Sequence, residues 1–226
     1  MPRHVFIAGG TGYLGRHLVP VLLARGHRIR ALVRRGSEGK APGGCEVVVG
    51  NPFDRRTFTS AIAPCDTLLQ LVGVPHPSPS KARQFVEIDL KSALESIEAA
   101  RECGIAHFIY VSVAQPAPVM QAFQNARREA ERVLVASGLT HTILRPWYVL
   151  GPGHRWPYLL IPAYWMLERI PSTRASAQRL GLVTVRQMVA ALVDAIEHPP
   201  DRERIVEVPE IGRRHSTTSA AGARSS

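Results

Sequence analysis

Glycines at 9, 12 and 15, spaced three apart behind the apolar run Val5-Phe6-Ile7-Ala8, are the residues of this chain best suited to chemistry. A turn of bare backbone at the mouth of a helix can admit a phosphate, because unbonded N–H groups and the positive end of the helix dipole face the anion. The stretch Gly9-Gly10-Thr11-Gly12-Tyr13-Leu14-Gly15 passes from strand through turn to helix in the order such a grip requires. In this reading the glycines make a tight turn, admit a diphosphate and let the helix pack close to the strand, with Thr11, Tyr13 and Leu14 contributing to the same cradle.

A second group lies one strand further on. A dinucleotide site that prefers NAD carries Asp or Glu about 20 residues past the glycines, to accept from the ribose hydroxyls. Here the strand ends Leu32-Val33-Arg34-Arg35-Gly36 with no carboxylate. Arg34 and Arg35 offer guanidinium forks suited to a 2′-phosphate, so NADP(H) is expected over NAD(H).

Other side chains are candidates for proton transfer. His76, in Val74-Pro75-His76-Pro77, falls on a loop leaving the fourth strand, at the edge where α/β sites open. Tyr148 follows the sixth strand, whereas Tyr110 falls within the fifth and reads as core. Glu87, Asp89 and Glu95 share a helix and read as a solvated face. Aromatics crowd Gly153 to Leu167, which reads as an apolar lid over a small-molecule substrate, a dimer interface or a membrane-surface contact through 154–170.

The elements that must position these groups follow from the pattern of apolar residues. Strand-length runs at about His4–Ala8, Arg28–Arg34, Cys45–Val49, Thr67–Val72, Ala106–Ser112, His141–Arg145 and Ile205–Val208 alternate with helical stretches. Those helices are expected at Tyr13–Arg25, Arg55–Ala63, Lys81–Glu102, Val119–Ser137 and Val185–Glu197. Strand and helix in alternation imply an α/β fold, a doubly wound parallel sheet with a small capping extension. One domain over residues 1–212 is expected, with 151–180 as the lid and 213–226 as a disordered tail.

On these residues the chain resembles the atypical short-chain dehydrogenases/reductases of the NAD(P)H-binding, NmrA-like and epimerase-like kind, whose fold is the Rossmann fold. The likeness runs through the glycine turn, Leu32-Val33-Arg34, Val49-Gly50-Asn51-Pro52-Phe53-Asp54, Leu71-Val72-Gly73, Phe108-Ile109-Tyr110-Val111-Ser112 and Leu144-Arg145-Pro146. It implies that Asn51 and Pro52 flank the adenine, with Asn51 where an Asp is usual. It also implies that Val72, Gly73 and Val74 pass the riboses and that Pro146 flanks the nicotinamide. In the family a Ser or Thr and a Tyr-x-x-x-Lys pair perform the proton chemistry. Here Ser112 stands one residue early, Phe123 replaces the Tyr and Arg127 replaces the Lys, so the resemblance carries Ser112 and Arg127 over as candidates for both the catalytic and the cofactor-binding site. Arg127 can donate to a ribose but is a poor proton relay.

The resemblance leaves two functions open. One is an NADP(H)-dependent reductase or epimerase acting on an apolar or aromatic carbonyl-type substrate, with the proton from water, His76 or Tyr148. The other is a non-catalytic NADP(H) sensor, or an assembly or accessory protein, as NmrA-like regulators and the nucleotide-binding accessory subunit of respiratory complex I are.

Composition narrows the classes. The chain carries a net charge of +10, but its basic residues are scattered in pairs no longer than Arg34–Arg35, without an aromatic-basic stripe, so nucleic acid is not expected as a partner. Cys45, Cys65 and Cys103 are too far apart for a CxxC site and odd in number, so buried reduced thiols and no metal are expected. The tract from Trp156 to Ile170 is shorter than a span of about 20 residues and contains Pro157 and Pro162. With no signal-like start, a cytoplasmic protein without a transmembrane span is expected.

Overall fold

The computed structural model describes residues 1–151 and 180–213. The 154–170 contact therefore lies wholly outside the described residues, as do the lid apart from positions 151 and 180 and the tail apart from position 213. Among those described, no helix is long and apolar enough to cross a membrane.

The expected alternation is present. Strands β1 (His4–Ala8), β2 (Arg28–Val33), β3 (Glu46–Val49), β4 (Thr67–Gln70), β5 (His107–Val111) and β6 (His141–Arg145) are separated by helices α1 (Tyr13–Ala24), α2 (Ala82–Gln84), α3 (Lys91–Glu102) and α4 (Gln121–Ala136). A two-stranded parallel pair follows, β7 (Tyr148–Leu150) with β8 (Leu182–Thr184). Helix α5 (Val185–Glu197), strand β9 (Glu203–Glu207) and helix α6 (Val208–Arg213) complete the described chain.

Seven strands form one sheet in the order β3-β2-β1-β4-β5-β6-β9, every pair parallel. The order runs outward from β1 in both directions, so the chain reverses its winding between β1 and β4, and the crevice beyond their carboxyl ends is where such sheets bind ligands. Strand residues alternate between two cores. Val5, Ile7, Leu69, Ile109 and Leu144 face α1 and α5, while Phe6, Ala8, Leu68, Phe108 and Tyr110 face α3 and α4. Each fully buried Leu, Ile or Phe contributes about 1.5–3 kcal/mol, which is why β1 and β4 tolerate no exposed face.

Three local differences from the sequence expectation have physical causes. The helix expected over Arg55–Ala63 is two 3-10 turns, Arg55–Thr57 and Thr59–Ala61. Between them Phe58 takes a non-helical φ of −142°, and its fully buried ring stacks on Phe6. The helix expected over Lys81–Glu102 contains a π turn at Phe85–Leu90, in which Phe85 and Asp89 are both buried. Last, β9 starts and ends earlier than read, and Pro209 lies in the first turn of α6, where its missing N–H costs no helical bond.

Candidate functional site

The turn after β1 is built as its glycines require. Gly9 has φ +91°, and a Cβ there would lie 2.8 Å from the Leu71 carbonyl carbon and the Val72 nitrogen. The turn is thus pressed against the exit of β4, where Leu71 N–H donates to Ala8 O at 2.8 Å. Gly12 N–H donates to Gly9 O at 3.0 Å and closes the turn. A Cβ on Gly15 would meet the Gly10 backbone, its carbonyl carbon 2.5 Å away, so the helix packs on its own entry loop.

The start of α1 is left open. Gly12 is its N-cap, exposed and without a side chain to bond the first N–H groups, and no acidic residue stands in the first turn. The contrast with α5 is instructive, because there Thr184 and Gln187 form a reciprocal capping box. One helix is sealed by side chains, and the other presents bare N–H groups at the reversal point of the sheet. Thr11 O is occupied by Arg16 Nε at 2.7 Å, which places a further cation beside the turn. Tyr13 and Leu14 lie half-buried behind it and pack against the α1/α5 core.

Arg34 and Arg35 leave the end of β2 exposed, with no ion pair to any described residue. The β3 loop is ordered by its own side chains. Asn51 N–H donates to Thr57 Oγ1 at 2.8 Å, and its Oδ1 accepts from Phe53 N–H at 3.1 Å, which leaves the Asn51 amide NH2 to donate outward. Pro52 is buried beside it.

Beyond β4, Val72, Gly73 and Val74 run over a buried ion pair. Arg127 Nη2 and Asp89 Oδ1 are 2.5 Å apart, and a Cβ on Gly73 would lie 2.5 Å from that same Nη2. Val74 N–H donates to Asp89 Oδ2 at 3.0 Å, and Arg127 Nη1 donates to Val111 O at 2.8 Å. Burial raises the Asp89 pKa, which the guanidinium opposes. For Arg127 burial works against the charge, yet Tyr110 and Asp89 lift its pKa above the ordinary arginine value. The short Nη2–Oδ1 contact has the geometry of an ion pair. The reading of Asp89 as part of a solvated face is corrected: it is fully buried, because the π turn directs it toward α4. Glu95 instead pairs with Arg55 and Glu87 with Arg83 nearer the surface.

The remaining candidates are distributed unevenly. Phe123 packs against Phe85, with ring centroids 5.0 Å apart, and the Arg127 guanidinium lies 5.1 Å from its ring centroid. Ser112 is buried, and its hydroxyl donates to Glu131, a carboxylate also held by Arg145 and Gln115. His76 is exposed with φ +50°, its carbonyl held by Lys81 Nζ at 2.9 Å. Tyr148 is half-buried in β7, its ring set edge-on to Trp147, and burial raises the pKa of its phenol, so the proton is retained. Pro146 is buried, and its carbonyl accepts from Ala114 N–H at 2.9 Å. No group of three or more metal-ligating side chains occurs among the described residues. The three cysteines are free thiols, half-buried rather than fully buried.

A parallel sheet with a glycine turn at its reversal point, and an uncapped helix behind that turn, defines a Rossmann-fold protein whose residues fit a dinucleotide. Residues 9–156 match the sequence pattern of the family described as NAD(P)H-binding, and the chain belongs to that family. It is 29% identical over 220 residues to the 3-diazoavenalumate denitrifying reductase of a Streptomyces species, which covers 85% of this chain and 72% of that protein. It is 33% identical over 153 residues to the uncharacterized sugar epimerase YhfK of Bacillus subtilis, covering 63% and 70% respectively. Among solved structures, the Bordetella bronchiseptica enzyme WbmH in complex with NAD+ shares the fold with a TM-score of 0.68 at 17% identity, over 100% of this chain and 84% of that one. The family is thus one of NAD(P)H-binding oxidoreductases and epimerase-like proteins.

Proposed function

We propose that the protein is an NADP(H)-dependent reductase or epimerase-like oxidoreductase acting on an apolar or aromatic carbonyl-type substrate. One observation carries the reading: the open start of α1 at the reversal point of the sheet, with Arg34 and Arg35 exposed just past the neighbouring strand and in no ion pair with a described residue. When bound, the dinucleotide supplies or accepts a hydride. The protein's part is to grip the diphosphate with the backbone of Gly9, Thr11, Gly12, Tyr13, Leu14 and Gly15, and the 2′-phosphate with Arg34 and Arg35. Asn51 and Pro52 hold the adenine edge, Val72, Gly73 and Val74 the far sugar, and Pro146 the ring beyond it.

Proton handling is reassigned relative to the family. Phe123 has no proton to give, the Ser112 hydroxyl is committed to Glu131, and the Arg127 charge is neutralised by Asp89. The proton is assigned instead to Tyr148, a protonated phenol beside Trp147, or to His76 on the loop after β4, with water as the third source. Ser112 and Arg127 act by holding the ends of β5 and β4 in place.

Titration with NADPH and NADH, followed by tryptophan fluorescence, tests the cofactor half of the reading. A carbonyl panel scored by NADPH oxidation tests the reaction. Tight NADPH binding with no turnover on any carbonyl would favour the second reading, a non-catalytic NADP(H) sensor or accessory protein. The observation behind that alternative is the replacement of the proton-transfer pair by Phe123 and a salt-bridged Arg127.

A further inference from the structure

The Asp89–Arg127 pair is more than a buried contact. Its side chains are 0% and 10% exposed, and Arg127, carried by α4, has three polar partners on other elements: Asp89, the Val111 carbonyl, and Tyr110 Oη at 3.4 Å. Its Nε is buried without a hydrogen-bond partner. Buried ion pairs are weak contributors to stability, since apolar residues of similar volume commonly replace them at no loss. What this pair does supply is position. One Asp89 oxygen holds Arg127 and the other holds the Val74 N–H, while the guanidinium lies flush beneath Gly73, where any Cβ would strike it. The segment Leu71–Val74 is therefore clamped from below by the ion pair and from the side by Gly9.

The sheet order says what rests on that segment. β2, which leads into Arg34 and Arg35, lies on one side of β1, and β4 lies on the other. A dinucleotide whose diphosphate sits on the turn after β1, and whose 2′-phosphate meets Arg34 or Arg35, must carry its second nucleotide half across the exit of β4. That half then lies over Gly73.

We propose that Asp89 is a positioning residue for the nicotinamide half of the dinucleotide, acting through Arg127 and the Val74 N–H to fix the Leu71–Val74 backbone on which that half rests. The proposal rests on the dinucleotide-binding reading above. Asp89 touches no ligand; it sets the height and rigidity of the shelf.

The test uses the full chain and two ligands, NADPH and 2′,5′-ADP, which contains the 2′-phosphate half but lacks the nicotinamide half. Asp89→Leu alone leaves a buried guanidinium unpaired, so the informative variant is Asp89→Leu with Arg127→Met, which removes both charges together. This double variant is expected to keep its melting temperature close to that of the parent and to keep its affinity for 2′,5′-ADP. Its NADPH dissociation constant is expected to rise by about tenfold or more, about 1.4 kcal/mol, because the nicotinamide half then rests on a backbone segment that is no longer fixed. Hydrogen exchange at the Leu71–Val74 amides in the ligand-free protein should quicken, with exchange in β1 unchanged. Parent-like NADPH binding by the folded double variant would overturn the proposal while leaving the dinucleotide reading intact. Equal loss for both ligands would also overturn it, since that is general damage rather than a shelf for one half. Failure of the parent protein to bind either ligand would instead remove the underlying reading.

Discussion

Replacing Gly15 by alanine puts the close packing of the phosphate turn to a direct test. The added Cβ would sit 2.5 Å from the Gly10 carbonyl carbon and 2.6 Å from its Cα, with the carbonyl oxygen closer still. These are backbone atoms, so no side chain can swing away; from the carbonyl oxygen at 2.3 Å the helix start and the turn must separate by roughly 1.1 Å to reach ordinary contact at 3.4 Å. Overpacking of this kind costs ~1–3 kcal/mol, equivalent to a melting temperature lower by roughly 2–12 °C for a domain of this size. The same shift spoils the aim of the first N–H groups of α1. Loss of one such hydrogen bond to a charged group, about 1.5–3 kcal/mol, weakens NADPH roughly 10- to 150-fold. Gly26→Ala is the matched control. Gly26 has φ +83° with nothing within 4 Å of its would-be Cβ, so alanine there incurs only the left-handed penalty of ~1–2 kcal/mol and leaves binding unchanged. Differential scanning fluorimetry and fluorescence titration of both variants give the comparison. A Gly15→Ala protein that binds NADPH as tightly as the parent would refute the assignment of the turn.

Three further outcomes are expected. Arg34→Glu should weaken NADPH by tenfold or more, about 1.4 kcal/mol, and leave NADH nearly unchanged; equal loss for the two cofactors would remove the 2′-phosphate argument. Phe123→Tyr combined with Arg127→Lys restores a proton donor and a smaller cation at the family positions. NADPH oxidation with aromatic ketones should rise by at least about tenfold, and no rise in a folded, NADPH-binding variant would favour the sensor reading. The third concerns pH. His107 is buried with its Nε2 on the Thr142 hydroxyl, and burial lowers its pKa from 6.5 to about 4. The unfolded chain therefore binds a proton that the folded protein refuses, and stability falls as pH drops from 6.5 toward 4, by at most about 3 kcal/mol. Denaturant midpoints across that window should show the fall in the parent and a flatter slope in His107→Gln. A parent midpoint constant from pH 7 to 4 contradicts the account.

The amino-acid sequence by itself determined the alternation of strands and helices, the glycine turn and the two arginines, Arg34 and Arg35, that follow β2. Each of these is a local pattern whose meaning is set by neighbours within a few residues: apolar period, a missing Cβ, a charge at a strand end. The bounds of β1, β6 and α5 were legible for the same reason. Tertiary structure alone decided which polar side chains are withdrawn from water. A carboxylate on a helix reads as solvated, yet Asp89 is matched by Arg127, 38 residues away, and Ser112 is spent on Glu131, 19 residues away. A signal for Asp89 did exist: it lies four residues from Phe85 and four from Ala93, inside the buried stripe of its own helix. A single charge in such a stripe says that a partner is needed. Only the packing of the Phe85–Leu90 turn against α4 says which one, because the free energy that holds a charge in the interior comes from an opposite charge brought there by the rest of the fold.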